Sequence, residues 1–446
     1  MLQKEQDFRQ LFDNGLKYVY SEDEWDALRK KGGKLYPSLT RETIVNGEKY
    51  IEESIQPILY PVELTDAEIS QLHNLARLWP KITMLQSWLV GCGVLGKYWI
   101  EKLVPSSELQ LLSIDAGYNE PWAPLIRLDL VRTATGFKII DINYTRPAGV
   151  ADNFILDRCY GHYDEYLHFN AVAGFCSTIK ATFDSWLNQC GHGKQNAKII
   201  ILLDSYSGDW YNMKNLADAL RAESWVDRVE VAMAFPDNKN VNFNCLIRGK
   251  IKFGHQIFSR LLSLNSKEIC IVTPLGRRYL GNKYWFYLFS NGEVGGLLRQ
   301  ELGELDYELL TSSCLMTGIL QDKFVEFSDS SQIHISQLDR ERWLLKPPSG
   351  SSGKGIAIGA RLRQPDWFGR LLDKRNNGAI IQSYQPRQEQ VVVYNAIGEP
   401  QSLTLYTKYG AFLYNGELVG VEIMARPSPL VHGARDTYLS VGVAIK

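Results

Sequence analysis

The stretch 125–149, LIRLDLVRTATGFKIIDINYTRPAG, constrains this chain more than any other. Two apolar-rich runs flank Ala134-Thr135-Gly136, and three-residue hairpin loops favour glycine at their left-handed third position. The spacing predicts a β-hairpin with Asp129 opposite Asp141 and Arg127 opposite Asn143. Side chains alternate along a strand. Arg127, Asp129, Asp141 and Asn143 therefore share one face, and Leu128, Leu130, Ile140 and Ile142 the other. Two carboxylates facing each other across a strand pair repel unless something cationic sits between them. Oxygen ligands of this kind suit Mg²⁺, which keeps waters and substrate phosphates in its shell. Arg127 beside them suits a phosphate or a carboxylate. The same pattern also fits a solvated hairpin face with incidental charges.

Composition narrows the class. The chain has 446 residues, enough for two or three domains. A net charge of −1 gives no bulk field toward nucleic acid or anionic membrane. Seven cysteines are scattered without CxxC spacing, which argues against a disulfide framework or a zinc site and for a reducing compartment. The N-terminus is polar from the start, without the look of a signal peptide. The most apolar long run, 87–100, contains Lys97 and three glycines and is too short to span a bilayer. A cytoplasmic protein is expected.

Taken in order, residues 22–29 and 64–78 read as helices, the second with Thr65 as cap and Glu68 three residues on. Residues 83–104 continue as helix interrupted by Gly91, Gly93 and Gly96. Residues 152–188 are rich in helix formers, with His162 and His168 read as structural or surface residues, like His73 on a packed helix face. Residues 190–196, CGHGKQN, form a linker. Strands over 198–203, 229–234, 246–247 and 269–273 alternate with helices over 209–223 and 250–264, which predicts a small parallel sheet covered on both faces. Its first turn lacks GxGxxG, and Arg248, after the third strand, is a weak substrate-contact candidate. The expected organisation is an N-terminal helical region over 1–190 carrying the hairpin, a parallel α/β domain over 197–275, and a C-terminal region over 276–446.

That last region carries the second informative set. Residues 274–286 lead into a helix with Lys283 near its start. A strand over 342–347 ends at Lys346, a loop of Pro, Ser and Gly follows over 348–353, and 354–359 is a further strand. Glycine and serine let backbone N–H groups approach phosphate oxygens, and Lys346 and Lys354 add charge at each end. A Walker loop is excluded, since only two residues separate Gly350 from Gly353 and an apolar strand follows Lys354. Residues 406–420 read as a hairpin around Asn415-Gly416. Beyond it Arg426, His432, Arg435 and Asp436 gather in one loop. Two arginines suit a substrate carboxylate and Asp436 an amine, although each alone also fits an exposed loop.

These residues resemble the ATP-grasp superfamily. KPPSGSSGKG resembles its phosphate-covering loop, and IIQSY at 380–384 the segment between its two subdomains, whose backbone meets adenine. Glu389 matches its ribose-binding acid, and RLD…DIN its metal motif, with Asp141 in place of the commoner Glu and Gln382 likewise replacing a Glu. The metal motif lies about 200 residues before the glycine loop. That order resembles the circularly permuted branch, which includes eukaryotic glutathione synthetase and glutathionylspermidine synthetase-type ligases. The resemblance implies an α/β (α+β) fold and places Mg²⁺ on Asp129, Asp141 and Asn143, with Arg127 facing the transferred phosphoryl group. It puts ATP on Lys283, Lys346, Gly350, Ser351, Ser352, Gly353, Lys354, Gln382, Tyr384 and Glu389, and substrate on Arg426, Arg435, His432 and Asp436. The implied reaction joins a carboxylate to an amine, such as an amino acid, peptide or polyamine, through an acyl phosphate, with ADP released. A phosphotransferase and a non-catalytic nucleotide-binding protein are the alternatives. A homodimer follows by analogy. Glutathione synthetase supplies a metal-binding carboxylate from its glycine loop. Here that loop has only Ser and Gly, so either Asp129 does more or the metal set is smaller.

Overall fold

The hairpin forms between the strands Leu125–Thr133 and Gly136–Asn143. The structure is a computed structural model describing residues 17–21, 40–45, 48–54, 56–104, 124–144, 149–161, 165–203, 208–233, 243–249, 268–272, 279–350, 353–394, 399–431 and 437–445. Arg127 pairs with Asn143 and Asp129 with Asp141, as the spacing predicts, but by a different route. Thr133 pairs with Gly136, so the loop is two residues, not three. A β-bulge after Asp129 then inserts one residue, Ile140, and restores the register. The bulge also corrects the apolar face: Ile139 is fully buried opposite Leu130, and Ile140 is only half-buried. Its carbonyl is thereby left for another partner, as bulges next to functional sites often arrange.

The hairpin is built into a nine-stranded sheet with the C-terminal strands. Residues Leu125–Leu130 pair antiparallel with Tyr414–Tyr409 of the long strand Pro400–Tyr414. That strand forms the expected hairpin with Glu417–Arg426 around Asn415-Gly416, both at positive φ. Tyr438–Ile445 follows beside Glu417–Arg426. The helix Asp66–Gly91 carries the predicted capping box of Thr65 and Glu68 and packs Leu72, Leu75, Trp79 and Ile82 into the same core as Leu128, Leu130 and Ile139. It also fastens the edge of the hairpin. Gln71 exchanges two hydrogen bonds with the Phe137 backbone, at 2.9 and 3.0 Å, and the Trp79 indole donates to the Tyr144 hydroxyl at 2.9 Å. His73 on that helix is exposed, not packed.

The small parallel sheet is present: Val226–Ala232, Ala197–Leu202, Cys245–Arg248 and Cys270–Ile271 lie in that order, all parallel. Arg248 is buried at the end of its strand. A separate six-stranded antiparallel sheet contains Trp343–Lys346 and Ile380–Ser383 as neighbours. Of the strand expected over 354–359, only Ala357–Ile358 is extended. The N-terminal region is not purely helical, because Lys17–Ser21, Glu48–Ser54 and Thr40–Val45 form an antiparallel sheet. The helices expected over 22–29 and 250–264 lie outside the described residues. Among the described residues no helix is long and apolar enough to cross a membrane.

Candidate active site

Two lysines join the glycine loop to the hairpin. Lys346 ends its strand, and its side chain is buried. Its Nζ donates to the carbonyl of Ile140, the bulge residue, at 2.8 Å and to Oε1 of Gln382 at 2.7 Å. Gln382 is itself fully buried and donates its Nε2 to the Thr317 hydroxyl at 3.2 Å. Its side chain therefore orients Lys346. Burial, with the nearby Lys283 charge, pushes the Lys346 ammonium down to about 7 against the pull of Asp141. Lys283 immediately precedes the short helix Tyr284–Leu288. Its neighbour Asn282 is anchored on the Lys102 and Leu103 carbonyls, and its own N–H donates to Pro348 O at 2.8 Å. The Lys283 ammonium lies 3.2 Å from Asp141 Oδ1 and donates to Gly350 O at 3.4 Å. Gly350, Gly353 and Gly355 all take positive φ, the conformational freedom such a loop requires. Lys354 points into solvent.

On the hairpin face the two aspartates have different surroundings. Arg127 Nε donates to Asp129 Oδ1 at 2.9 Å, and Lys408 Nζ donates to Asp129 Oδ2 at 2.8 Å. Arg127 Nη1 reaches Glu422 Oε2 at 3.2 Å. Lys408 and Glu422 come from the two strands of the C-terminal hairpin, and Gly410, opposite both Asp129 and Glu422, leaves the space that Arg127 fills. A Cβ at Gly410 would come 3.0 Å from Arg127 Cδ. Burial alone would raise the Asp129 carboxyl, but Arg127 and Lys408 outweigh it and hold it at about 2. Burial raises Glu422 to about 7 despite Arg127, with the Asp152 charge adding to the rise. Neither Lys408 nor Glu422 was singled out from sequence. The signal was there: each is a lone charge inside an apolar strand, TLYTKYGAFLY and LVGVEIMA, and such charges are rarely buried unless paired.

Asp141 and Asn143 are more open. Asp141 Oδ1 accepts from the Ile142 N–H at 3.0 Å as well as facing Lys283. Asn143 donates its amide toward Arg127 O at 3.5 Å. Asp141 Oδ2 and Asn143 Oδ1 accept no hydrogen bond among the described residues. Both are oxygen donors on one face of the hairpin, of the kind that suits Mg²⁺. Asp129, with both oxygens held by cations, does not fit as a third ligand.

Other expected residues stand apart. Glu389 lies on the opposite face of the sheet, where its Oε2 accepts from Tyr409 at 2.6 Å and its Oε1 faces Arg132 at 3.5 Å. Alternation on Gln388–Tyr394 places it on the side of Leu405 and Tyr409, not on that of Asp129 and Lys408. Arg426 braces the following turn by donating to Leu430 O at 2.8 Å. Tyr384 sits near Tyr406 and Arg361, where burial pushes its hydroxyl up to about 12. Ser351, Ser352, His432, Arg435 and Asp436 lie outside the described residues.

The fold is similar to that of a glutathione synthetase like-effector. The chain superposes on a glutathione synthetase like-effector from Globodera pallida in its apo form, over 100% of this chain and 97% of that one, with a TM-score of 0.60 and 11% identity. At that identity the likeness speaks for the fold alone. No protein-family model and no curated protein matches the sequence.

Proposed function

We propose that this chain is an ADP-forming carboxylate–amine ligase with a circularly permuted ATP-grasp organisation. The observation that carries the reading is the pair of lysines, 283 and 346: Lys283 bridges Asp141 on the hairpin face and Gly350 of the glycine loop, and Lys346, at the end of the strand that leads into that loop, bonds the bulge carbonyl of Ile140. Two cations between a glycine-rich loop and an open Asp–Asn pair suit a polyphosphate.

In this reading a substrate carboxylate attacks the γ-phosphorus in line, giving an acyl phosphate and ADP. The amine then attacks the acyl carbon and phosphate leaves. No protein nucleophile is needed, and catalysis rests on positioning and fixed positive charge. Lys346 and Lys283 offset charge on the phosphate oxygens, with Gln382 and the Ile140 carbonyl fixing the Lys346 ammonium. Asp141 and Asn143 would hold Mg²⁺, which would supply positive charge to offset that developing on the transferred phosphoryl group. Arg127, fixed between Asp129 and Glu422, presents its guanidinium to the transferred group. Exclusion of water from the site protects the acyl phosphate.

The test is mass spectrometry of products after incubation with ATP, Mg²⁺ and pooled amino acids, small peptides and polyamines. A new mass equal to two components minus water, with ADP, is expected, and Asp141→Ala abolishes it. A phosphorylated component without condensation refutes the ligase in favour of a phosphotransferase. ATP-dependent turnover that survives Asp141→Ala removes the hairpin from the mechanism.

A further inference from the structure

We propose that Lys408 is a built-in substitute for a second metal ion, so that this site works with one divalent cation, held by Asp141 and Asn143. The inference rests on the ligase reading and deepens it. Three observations carry it.

First, neither oxygen of Asp129 is available. Arg127 Nε holds Oδ1 at 2.9 Å and Lys408 Nζ holds Oδ2 at 2.8 Å. Second, Lys408 depends on Asp129 for its hydrogen bond. Asp129 is its sole hydrogen-bond partner among the described residues, and the side chain is buried. If Asp129 turned to a metal ion, Lys408 would become a buried ammonium without a bonded carboxylate, an arrangement that is strongly destabilising. Arg127 differs here, because it keeps Glu422. Third, the cations are already taken up by acidic groups. Arg127 faces Asp129 and Glu422, and Lys408 faces Asp129, in backbone fixed by strand pairing on the Asp129, Lys408 and Glu422 strands. A divalent ion on Asp129 would sit against two fixed cations, with Arg127 paired to Glu422 alone and Lys408 hydrogen-bonded to no carboxylate.

Asp141, opposite Asp129 across the strand pair, has the reverse character. It is more exposed, and its nearest cation is Lys283, which also contacts the glycine loop. The cation between the two carboxylates is therefore of two kinds: a side-chain ammonium on Asp129 and a metal ion on Asp141. A glycine loop with no carboxylate agrees with this smaller metal set.

The experiment is an electron paramagnetic resonance titration of the full chain with Mn²⁺ at saturating concentrations of a non-hydrolysable ATP analogue. One Mn²⁺ per bound nucleotide is expected. Asp129→Asn leaves that stoichiometry at one, whereas Asp141→Asn weakens the Mn²⁺ by about 100-fold or more, since loss of outer-shell partners alone costs up to that much. Lys408→Met frees Asp129 and raises the count to two, and Lys408→Arg keeps it at one. Should Lys408→Met not fold, the wild-type count and the Asp129→Asn result decide alone. Two Mn²⁺ per nucleotide in the wild type, or loss of Mn²⁺ in Asp129→Asn, overturns the inference and leaves the ligase reading standing. Absence of nucleotide binding overturns the ligase reading, and this inference with it.

Discussion

Replacing Gly149 by alanine tests whether the charged group under the hairpin is as rigid as its bonding implies. Gly149 precedes the helix Val150–Tyr160 with φ of 89°, and a Cβ there would lie 2.4 Å from Glu422 Oε1 and 2.7 Å from its Oε2. Glu422 is 1% exposed and bonded to Arg127, so it has little room to withdraw. Two costs add. Left-handed backbone costs a non-glycine residue on the order of 1 kcal/mol, and forcing an extra methyl into packed surroundings costs about 1–3 kcal/mol. Gly149→Ala should therefore destabilise by about 2–4 kcal/mol. Gly191 supplies the control: its φ is 67°, and a Cβ there meets nothing within 4 Å. Gly191→Ala should cost only the backbone part, about 1 kcal/mol. Urea unfolding followed by tryptophan fluorescence measures both. In Gly149→Ala/Glu422→Ala the crowding is gone, so the double variant should be less destabilised than the sum of its singles by about 1–2 kcal/mol. Equal effects of the two glycine substitutions would refute the reasoning, because they would mean that Glu422 yields freely.

Other outcomes follow from the same contacts. The unfolded chain loses the Glu422 proton near 4.5 and the folded chain near 7, so stability from this group falls as pH rises between those values, by up to about 3 kcal/mol; urea midpoints across pH 4–8 should show that fall, and Glu422→Gln should lack it. In the free protein Lys346 carries its charge below about 7 and loses it above, so kcat/KM for ATP should decline as pH rises through that point. Lys346→Arg keeps its charge and should show no such decline; an identical limb in both proteins would assign it to another group. Gln382→Leu deprives Lys346 of one acceptor and leaves the Thr317 hydroxyl without its partner. It should destabilise by about 1–3 kcal/mol and raise the KM for ATP, and an unchanged KM would show that Gln382 does not orient Lys346.

Local patterns that need no distant partner were legible in the sequence. The capping box at Thr65 and Glu68, the Asn415-Gly416 turn and the strands of the small parallel sheet all formed where their residue types called for them. So did the pairing of Asp129 with Asp141, because alternation along a strand is set by backbone geometry alone. The route to that pairing was not legible. A two-residue loop and a bulge at Ile140 cancel in the register count, and only the bulge accounts for the carbonyl that Lys346 takes. The sheet face that Glu389 occupies depended on the register in which its strand pairs with Pro400–Tyr414. The charge state of Asp129 depended on Lys408, 279 residues away and brought alongside by strand pairing with the C-terminal hairpin. A sequence determines which side chains can bear charge and which way they alternate. Which opposite charges meet when water is excluded is decided by tertiary packing, since burial makes an unpaired charge too costly to keep.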